Sequence, residues 1–357
     1  MSELQIAAPR RLVPRRLTAA GLIDSKANTA ITLLFGAILL WLFSPIWRWA
    51  FENAVWTGSA QTCAAESAGA CWAFIGAKLR FILFGFYPPE LQWRPALVLL
   101  GIGAMLSLSA SPRFWSVKLV PLWLLTLLLA WLLMTGIAVR PVVPPNQWGG
   151  LPITILVSLV GLASAFPLAL VLALARRSSM GILRTLSVIF IECLRGVPLI
   201  AVLYVAMLIV PMALPAETLL DKLARAQIGI TLFVSAYLAE IIRAGLQSIP
   251  AGQTEAAHSL GLGYWRTAQF VILPQALRAV IPAIVNLSVG ILLNTSLLAV
   301  IGISDLLNTA KISAADPNWL GFYTEAFFFA GTLYFAISFA ASRYSLWLEA
   351  RLRRGGK

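Results

Sequence analysis

Two charge pairs stand inside otherwise apolar stretches, Glu192 with Arg195 and Glu240 with Arg243, each spaced i, i+3. On a helix that spacing places both side chains on one face, where each pair neutralises itself. A charge within a membrane span costs on the order of 2.5–3.5 kcal/mol on insertion scales, and it faces protein or water. Two readings follow: an inner gate across adjacent helices, or local ion pairs that hold helices together. Asn286, Asn294, Thr295 and Ser296 bring hydrogen-bonding groups into a third apolar stretch. Such groups either join helices, at about 1 kcal/mol each, or line a polar path. Chemistry of the bond-making kind has little to work with. No Ser/His/Asp set or carboxylate dyad recommends itself, and the three cysteines and single histidine, His258, are too few for a metal cluster. There is no G-x-x-x-x-G-K-[ST] phosphate loop, since the sole Gly-Lys pair is the terminal Gly356-Lys357. The residues offer no enzyme site and no cofactor site in this chain.

The elements that hold them are membrane helices. Of 357 residues 60% are hydrophobic and 11% charged, with a mean hydropathy of +0.85, against roughly 25% charged in a soluble domain. The net charge of +13 does not indicate nucleic acid. Arg10, Arg11, Arg15, Arg16 and Lys26 precede the first apolar run, and Arg351, Arg353, Arg354 and Lys357 follow the last. Basic residues flanking spans mark cytoplasmic ends. The expected fold is an all-α integral membrane protein of about eight spans, near 29–47, 95–110, 118–139, 151–175, 186–211, 226–245, 281–303 and 323–346. Most approach the ~20 residues that cross a ~30 Å hydrocarbon layer. The first is too long for the 7–15-residue core of a cleaved signal. An even count with basic ends puts both termini in the cytoplasm, with a basic arm at 1–28 and a basic tail at 350–357. Connections carrying Arg113 and Lys118, and Arg176, Arg177 and Arg184, agree. The external 212–225 stretch, with Glu217, Asp221, Lys222 and Arg225, is neutral in sum. On straight spans Glu192 and Glu240 lie about 8–9 Å inside the cytoplasmic boundary.

Two connections exceed the others. The external 48–94 loop holds Cys63 and Cys71, for which a disulfide and free thiols are both compatible with an oxidising side. Its latter part, Trp72 to Tyr87, mixes aromatics with Lys78 and Arg80, as in a helix or hairpin on the membrane surface or a loop packed on the spans. Cys193 reads as a small packing residue. The cytoplasmic connection at about 245–280 reads as a helix–turn–helix. Gly252 breaks the preceding helix, Thr254 caps a new one, and Ala256, Ala257 and Leu260 share a small apolar face. Gly261 and Gly263 end that helix, and a second run from Tyr264 to Leu273 precedes Pro274. Glu255, near the helix start, suits the dipole there. The segment is too polar to span and too apolar for a free loop, which makes it a docking element, with His258 on its surface.

That segment resembles the EAA loop of ABC-importer permeases: Glu255-Ala256-Ala257, then Gly261, Val271 and Leu273-Pro274. Gly149-Gly150-Leu151 with Thr154, Arg195-Gly196-Val197-Pro198-Leu199, Ala236-Tyr237-Leu238-Ala239-Glu240, Gly252-Gln253, Pro274-Gln275-Ala276 and Thr295-Ser296-Leu297 resemble its polar amino-acid branch, the histidine/glutamine type. The resemblance covers about 149–349, five spans, the usual type I core of this branch, with the coupling loop at about 250–275. The preceding three spans, at 29–148, and the stretch Asp316-Pro317-Asn318-Trp319-Leu320-Gly321-Phe322-Tyr323 are similar to general L-amino-acid permeases of alphaproteobacteria. The resemblance implies a bacterial inner-membrane subunit that pairs with a second, similar permease. ATPase subunits, holding ATP and Mg, bind at the EAA loop, and a periplasmic binding protein delivers amino acids. Glu255, Ala256, Ala257, Leu260, Gly261 and Pro274 then serve coupling, and Asn294 to Ser296 the substrate path. Relatives carry a lysine, often with an aspartate, before the Thr-Ser pair, where this chain has Leu293 and Asn294; here this subunit departs from the family's charged pattern. An ion-gradient-driven carrier is the alternative, but it predicts isolated acids deep in spans and broken helices in repeated halves, and needs no docking loop.

Overall fold

The computed structural model describes residues 25–65, 68–213 and 220–354. Arg10, Arg11, Arg15, Arg16, Glu217, Lys357 and the side chains of Arg353 and Arg354 lie outside the described residues. The chain divides into two compact units, Met1–Ala73 and Phe74–Lys357. In the first, helix α1 (Lys26–Trp47) starts at Ser25, whose hydroxyl accepts from the Asn28 N–H at 3.2 Å. It is apolar on all sides and none of its residues is buried, the pattern of a helix solvated by lipid. A π-turn (Arg48–Glu52) follows. Cys63 and Cys71 are joined by a disulfide with Cα atoms 5.5 Å apart, and the Trp72 indole N–H donates to Ala50 O at 2.8 Å.

Helix α2 (Trp72–Phe84) runs into the second unit. It answers the choice left open for the aromatic stretch: a helix, packed on protein. Phe74 stacks on Phe322 and meets Trp319, and Lys78 bonds Asp316 at 2.7 Å. Then come α3 (Trp93–Ala110), α4 (Leu119–Thr135), α5 (Gly150–Arg176), α6 (Gly181–Gly196), α7 (Leu199–Ala213), α8 (Lys222–Gln247), α9 (Ala251–Ser259), α10 (Tyr264–Ile301), α11 (Leu306–Ala314) and α12 (Tyr323–Arg354). Among the described residues six helices are long and apolar enough to span a membrane, or seven if α6 and α7 count as one. The expected third span corresponds to α4, apolar but only 17 residues long.

The expected fifth span, 186–211, is not straight. Its halves α6 and α7 meet at 111°, because Val197 is extended and Pro198 supplies no N–H to carry the helix through. Depth along α6 therefore does not follow its residue count, and the estimate for Glu192 fails. Cys193 is exposed on α6 and does not pack inside.

The five-span core forms around α5 and α8. Ile153, Val157, Ala165, Ile230 and Val234 fill one cluster. Ala169, Leu172, Ala173, Leu238, Ile242 and Ala276 fill a second nearer α9. Small residues let backbones approach, as membrane helices require: a Cβ on Gly161 would lie 2.9 Å from Ile230, and one on Gly245 2.7 Å from Ala276 O.

Candidate functional site

Helix α9 begins at Ala251, after Pro250 in an extended conformation, with Gln253 N–H donating to Pro250 O at 3.0 Å. Gly252 and Thr254, expected as breaker and cap, both lie inside the helix. Pro250 sets the start, and in a first turn the N–H groups need no intrahelical partner, so Gly252 is tolerated there. Glu255 is consequently the fifth helical residue, beyond the turn on which the dipole acts. The far end closes as the glycines predict. Gly261 has φ +78°, its N–H donates to His258 O at 2.9 Å, and Leu262 N–H donates to Ala257 O at 3.0 Å. This is a Schellman closure, and its left-handed residue favours glycine. Ala257 is buried, whereas Ala256 and Glu255 are exposed and Leu260 is 82% exposed. The expected shared face of Ala256, Ala257 and Leu260 is thus split, since adjacent helical residues point about 100° apart. Tyr264, Trp265 and Phe270 extend the exposed apolar surface.

Pro274 does not start a separate helix. The chain is helical from Tyr264 to Ile301, with a π-turn at Thr267–Ile272 just before the proline. A wider turn absorbs the missing N–H without a break. The Gln275 side-chain amide donates to Val271 O at 2.8 Å and to the Gln253 side-chain oxygen at 3.2 Å, tying α9 to α10.

At the same end of the bundle, four charges meet. Arg176, the last residue of α5, donates through Nη2 to Glu192 Oε1 on α6 at 2.9 Å, and its Nη1 lies 3.1 Å from Glu240 Oε2 on α8. That second contact is an ion pair without hydrogen-bond alignment. Arg243 Nε reaches both Glu240 oxygens at 2.9 and 3.0 Å. The expected pair Glu240/Arg243 therefore forms on one helix. The expected pair Glu192/Arg195 does not: Glu192 bonds Arg176, and the Arg195 guanidinium sits over the Tyr237 ring at 5.6 Å. Spacing rules see one helix at a time and leave Arg176 in a connection. Its position at the end of the long α5 run was the available signal.

Of the polar residues of α10, Asn286 and Asn294 are exposed and Ser296 half-buried. Thr295 is 2% exposed, which removes its side chain from any open surface; it donates to Leu292 O at 2.7 Å. The reason is the change from α to 3-10 winding at Thr295–Ile301, which turns it towards Tyr334, 3.4 Å away. Tyr334 donates to Asp305 Oδ2 at 3.0 Å. Fully buried Asp305 also accepts from the Leu307 and Asn308 N–H groups, capping α11. Thr154 accepts from Leu306 N–H at 3.0 Å, and Ser304-Asp305 pair with Gly149-Gly150. Burial pushes the Asp305 carboxyl above the usual carboxylate range, with the two N–H donors opposing. Asp305 and Tyr334 carried no sequence signal, being single polar residues outside the quoted motifs.

The chain is similar to relatives of known name. The chain is 43% identical, over 94% of its length and 92% of the relative's, to the inner membrane amino-acid ABC transporter permease protein YhdY of Escherichia coli K12. It is 33% identical, over 93% and 92%, to the glutamate/glutamine/aspartate/asparagine transport system permease protein BztC of Rhodobacter capsulatus. The probable glutamine ABC transporter permease protein GlnP of Bacillus subtilis is 33% identical over 92% of its own length but 57% of this chain. The family described as binding-protein-dependent transport system inner membrane component matches residues 165–354, which holds all of α9 and every member of the charge cluster. With that match over half the chain and full-length relatives besides, the protein belongs to the family of binding-protein-dependent transport system inner membrane components.

Proposed function

We propose that this chain is a permease subunit of an ATP-driven amino-acid importer of the bacterial inner membrane, coupled to a separate ATPase through α9. The amino-acid substrate class rests on the names of its relatives. The observation that carries the coupling is α9 itself, closed at both ends, tied to α10 through Gln253 and Gln275, and exposing Glu255, Ala256 and Leu260. Both termini and α9 lie in the cytoplasm, in keeping with the basic flanks, and the disulfide loop lies on the oxidising side. ATP and Mg are held by the ATPase. A second, similar permease completes the path, and a periplasmic binding protein supplies it. Asn286, Asn294 and Ser296 face that path. Arg195, Glu192, Glu240 and Arg243 form the inner gate, together with Arg176. Leu293, 46% exposed, leaves the charged anchor to the partner permease.

Affinity purification of the tagged chain from its native membrane in mild detergent tests this. An ATPase and a second permease are expected to co-purify, and Gly261→Val is expected to abolish uptake by opening the end of α9. A chain that purifies alone, with uptake untouched by Glu255→Ala and Gly261→Val, would return the protein to the gradient-driven class.

A further inference from the structure

The charge cluster is built asymmetrically. Helices α5 and α8 pack along both interior clusters, and Ser164 and Thr231 hydrogen-bond across them at 2.7 Å. Helix α6 is held differently. It hangs between two non-helical joints, Arg177–Met180 and Val197–Pro198, the second with the 111° bend. Only Ser187 and Ile191 on it are buried, while Ile182, Leu186, Ile189 and Cys193 face outward. Ile191 reaches the second cluster and the Arg195 guanidinium lies over the Tyr237 ring of α8, and among the described residues its one ion pair to the α5–α8 block is Glu192 with Arg176.

We propose that Arg176 is a positioning residue of the transport cycle, latching the hinged helix α6 to the α5–α8 block through Glu192. The cluster releases this helix without stranding a charge. If Glu192 departs, Arg176 keeps Glu240, and Glu240 keeps Arg243 as well. Glu192, with its side chain already 54% exposed, passes to water. Removing a partner from a buried pair is costly because the remaining charge is uncompensated; here no buried charge is left so. The opposite split, α5 from α8, would break two packed clusters. Helix α8 leads within three residues, Ser248 to Pro250, into α9, so displacement of α9 pulls on the block that carries Arg176 while α6 turns on its own joints. Such an element has two discrete arrangements, which coupling requires. The latch rests on the ATPase-coupling reading of α9.

The chain offers its own reporter. Cys63 and Cys71 are bonded, and Cys193 is the free thiol, on α6. The intact complex, purified from native membrane, is labelled with a maleimide in nucleotide-free and ATP–vanadate-trapped states, and uptake per ATP is measured after reconstitution. Wild type is expected to show labelling rates that differ by about fivefold between the states, the lower end of ordinary coupling between sites. In Arg176→Gln and Glu192→Gln the two rates converge and uptake per ATP falls by a similar factor. Arg176→Lys, whose single ammonium holds one glutamate as a point charge, restores the difference in part. Should Arg176→Gln fail to assemble, Glu192→Gln carries the test, since it leaves the Arg176–Glu240 pair intact. Complexes of full composition in which both Gln variants keep the wild-type rate difference and uptake per ATP overturn the latch alone. A wild-type chain that purifies without any ATPase overturns the coupling reading and the latch with it.

Discussion

The two ends of the second unit use polar groups in opposite ways. Around Asp305, one buried carboxylate accepts from Leu307, Asn308 and Tyr334, while Thr154 receives the Leu306 N–H. The Leu306, Leu307 and Asn308 N–H groups each donate one such bond. Around Arg176, two cations and two glutamates share contacts, and Arg176 and Glu240 each have two partners. Interior polar groups held by single bonds specify one arrangement, since leaving any of them unmade costs the full desolvation of the group. A redundant, half-wet cluster permits exchange. The first end therefore reads as a fixed corner that sets α5, α10, α11 and α12 against one another, and the second as the place where α6 is released from α5 and α8.

Three substitutions or conditions sharpen that contrast. Asp305→Ala is expected to have the largest effect on stability, about 2–4 kcal/mol, from a lost cap plus unpaired buried donors. It is read as a fall in Tm in detergent, and a loss no greater than that of Glu192→Gln would erase the difference between the ends. Glu192→Gln is expected to cost below about 1 kcal/mol in the same assay, because a pair with one half-exposed partner is screened by solvent. The smallest effect is that of pH on the Lys78–Asp316 pair beside α11. The hydrogen bond from Lys78, then the Asn318 N–H, holds the Asp316 carboxyl below the usual range. A depressed carboxylate adds stability that is complete above the ordinary value of about 3.9 and is lost as pH falls through the folded one. The Tm gap between wild type and Asp316→Asn should thus be largest at neutral pH and narrow as pH falls below the ordinary carboxylate range. Asp305, pushed upward, has the reverse sign, and its contribution declines as pH rises.

Much of the site was legible where the rule was local. The span positions followed from apolar run length, the close of α9 from Gly261, and the Glu240–Arg243 contact from i, i+3 spacing. A cap at Thr254 puts the start of α9 four residues late, because Pro250 sits closer to the end of α8 and fixes φ. The bend after α6 lay in plain view as Gly196-Val197-Pro198, yet the apolar content on both sides overrode it. Run length measures hydrophobicity without measuring direction.

By itself, the sequence determined that this protein lives in a bilayer, that it is helical, and that a short helix closed by Gly261 follows α8. Those properties depend on composition, periodicity and the conformational limits of single residues such as Pro250 and Gly261. Only the tertiary structure decided that Arg176 serves Glu192 and Glu240 together, that Thr295 turns inward, and that Asp305 meets Tyr334. These pairings join residues 16 to 64 positions apart, as with Arg176 to Glu192 and to Glu240, on helices whose rotation and crossing are set by close packing of many small contacts. No local spacing rule encodes that rotation.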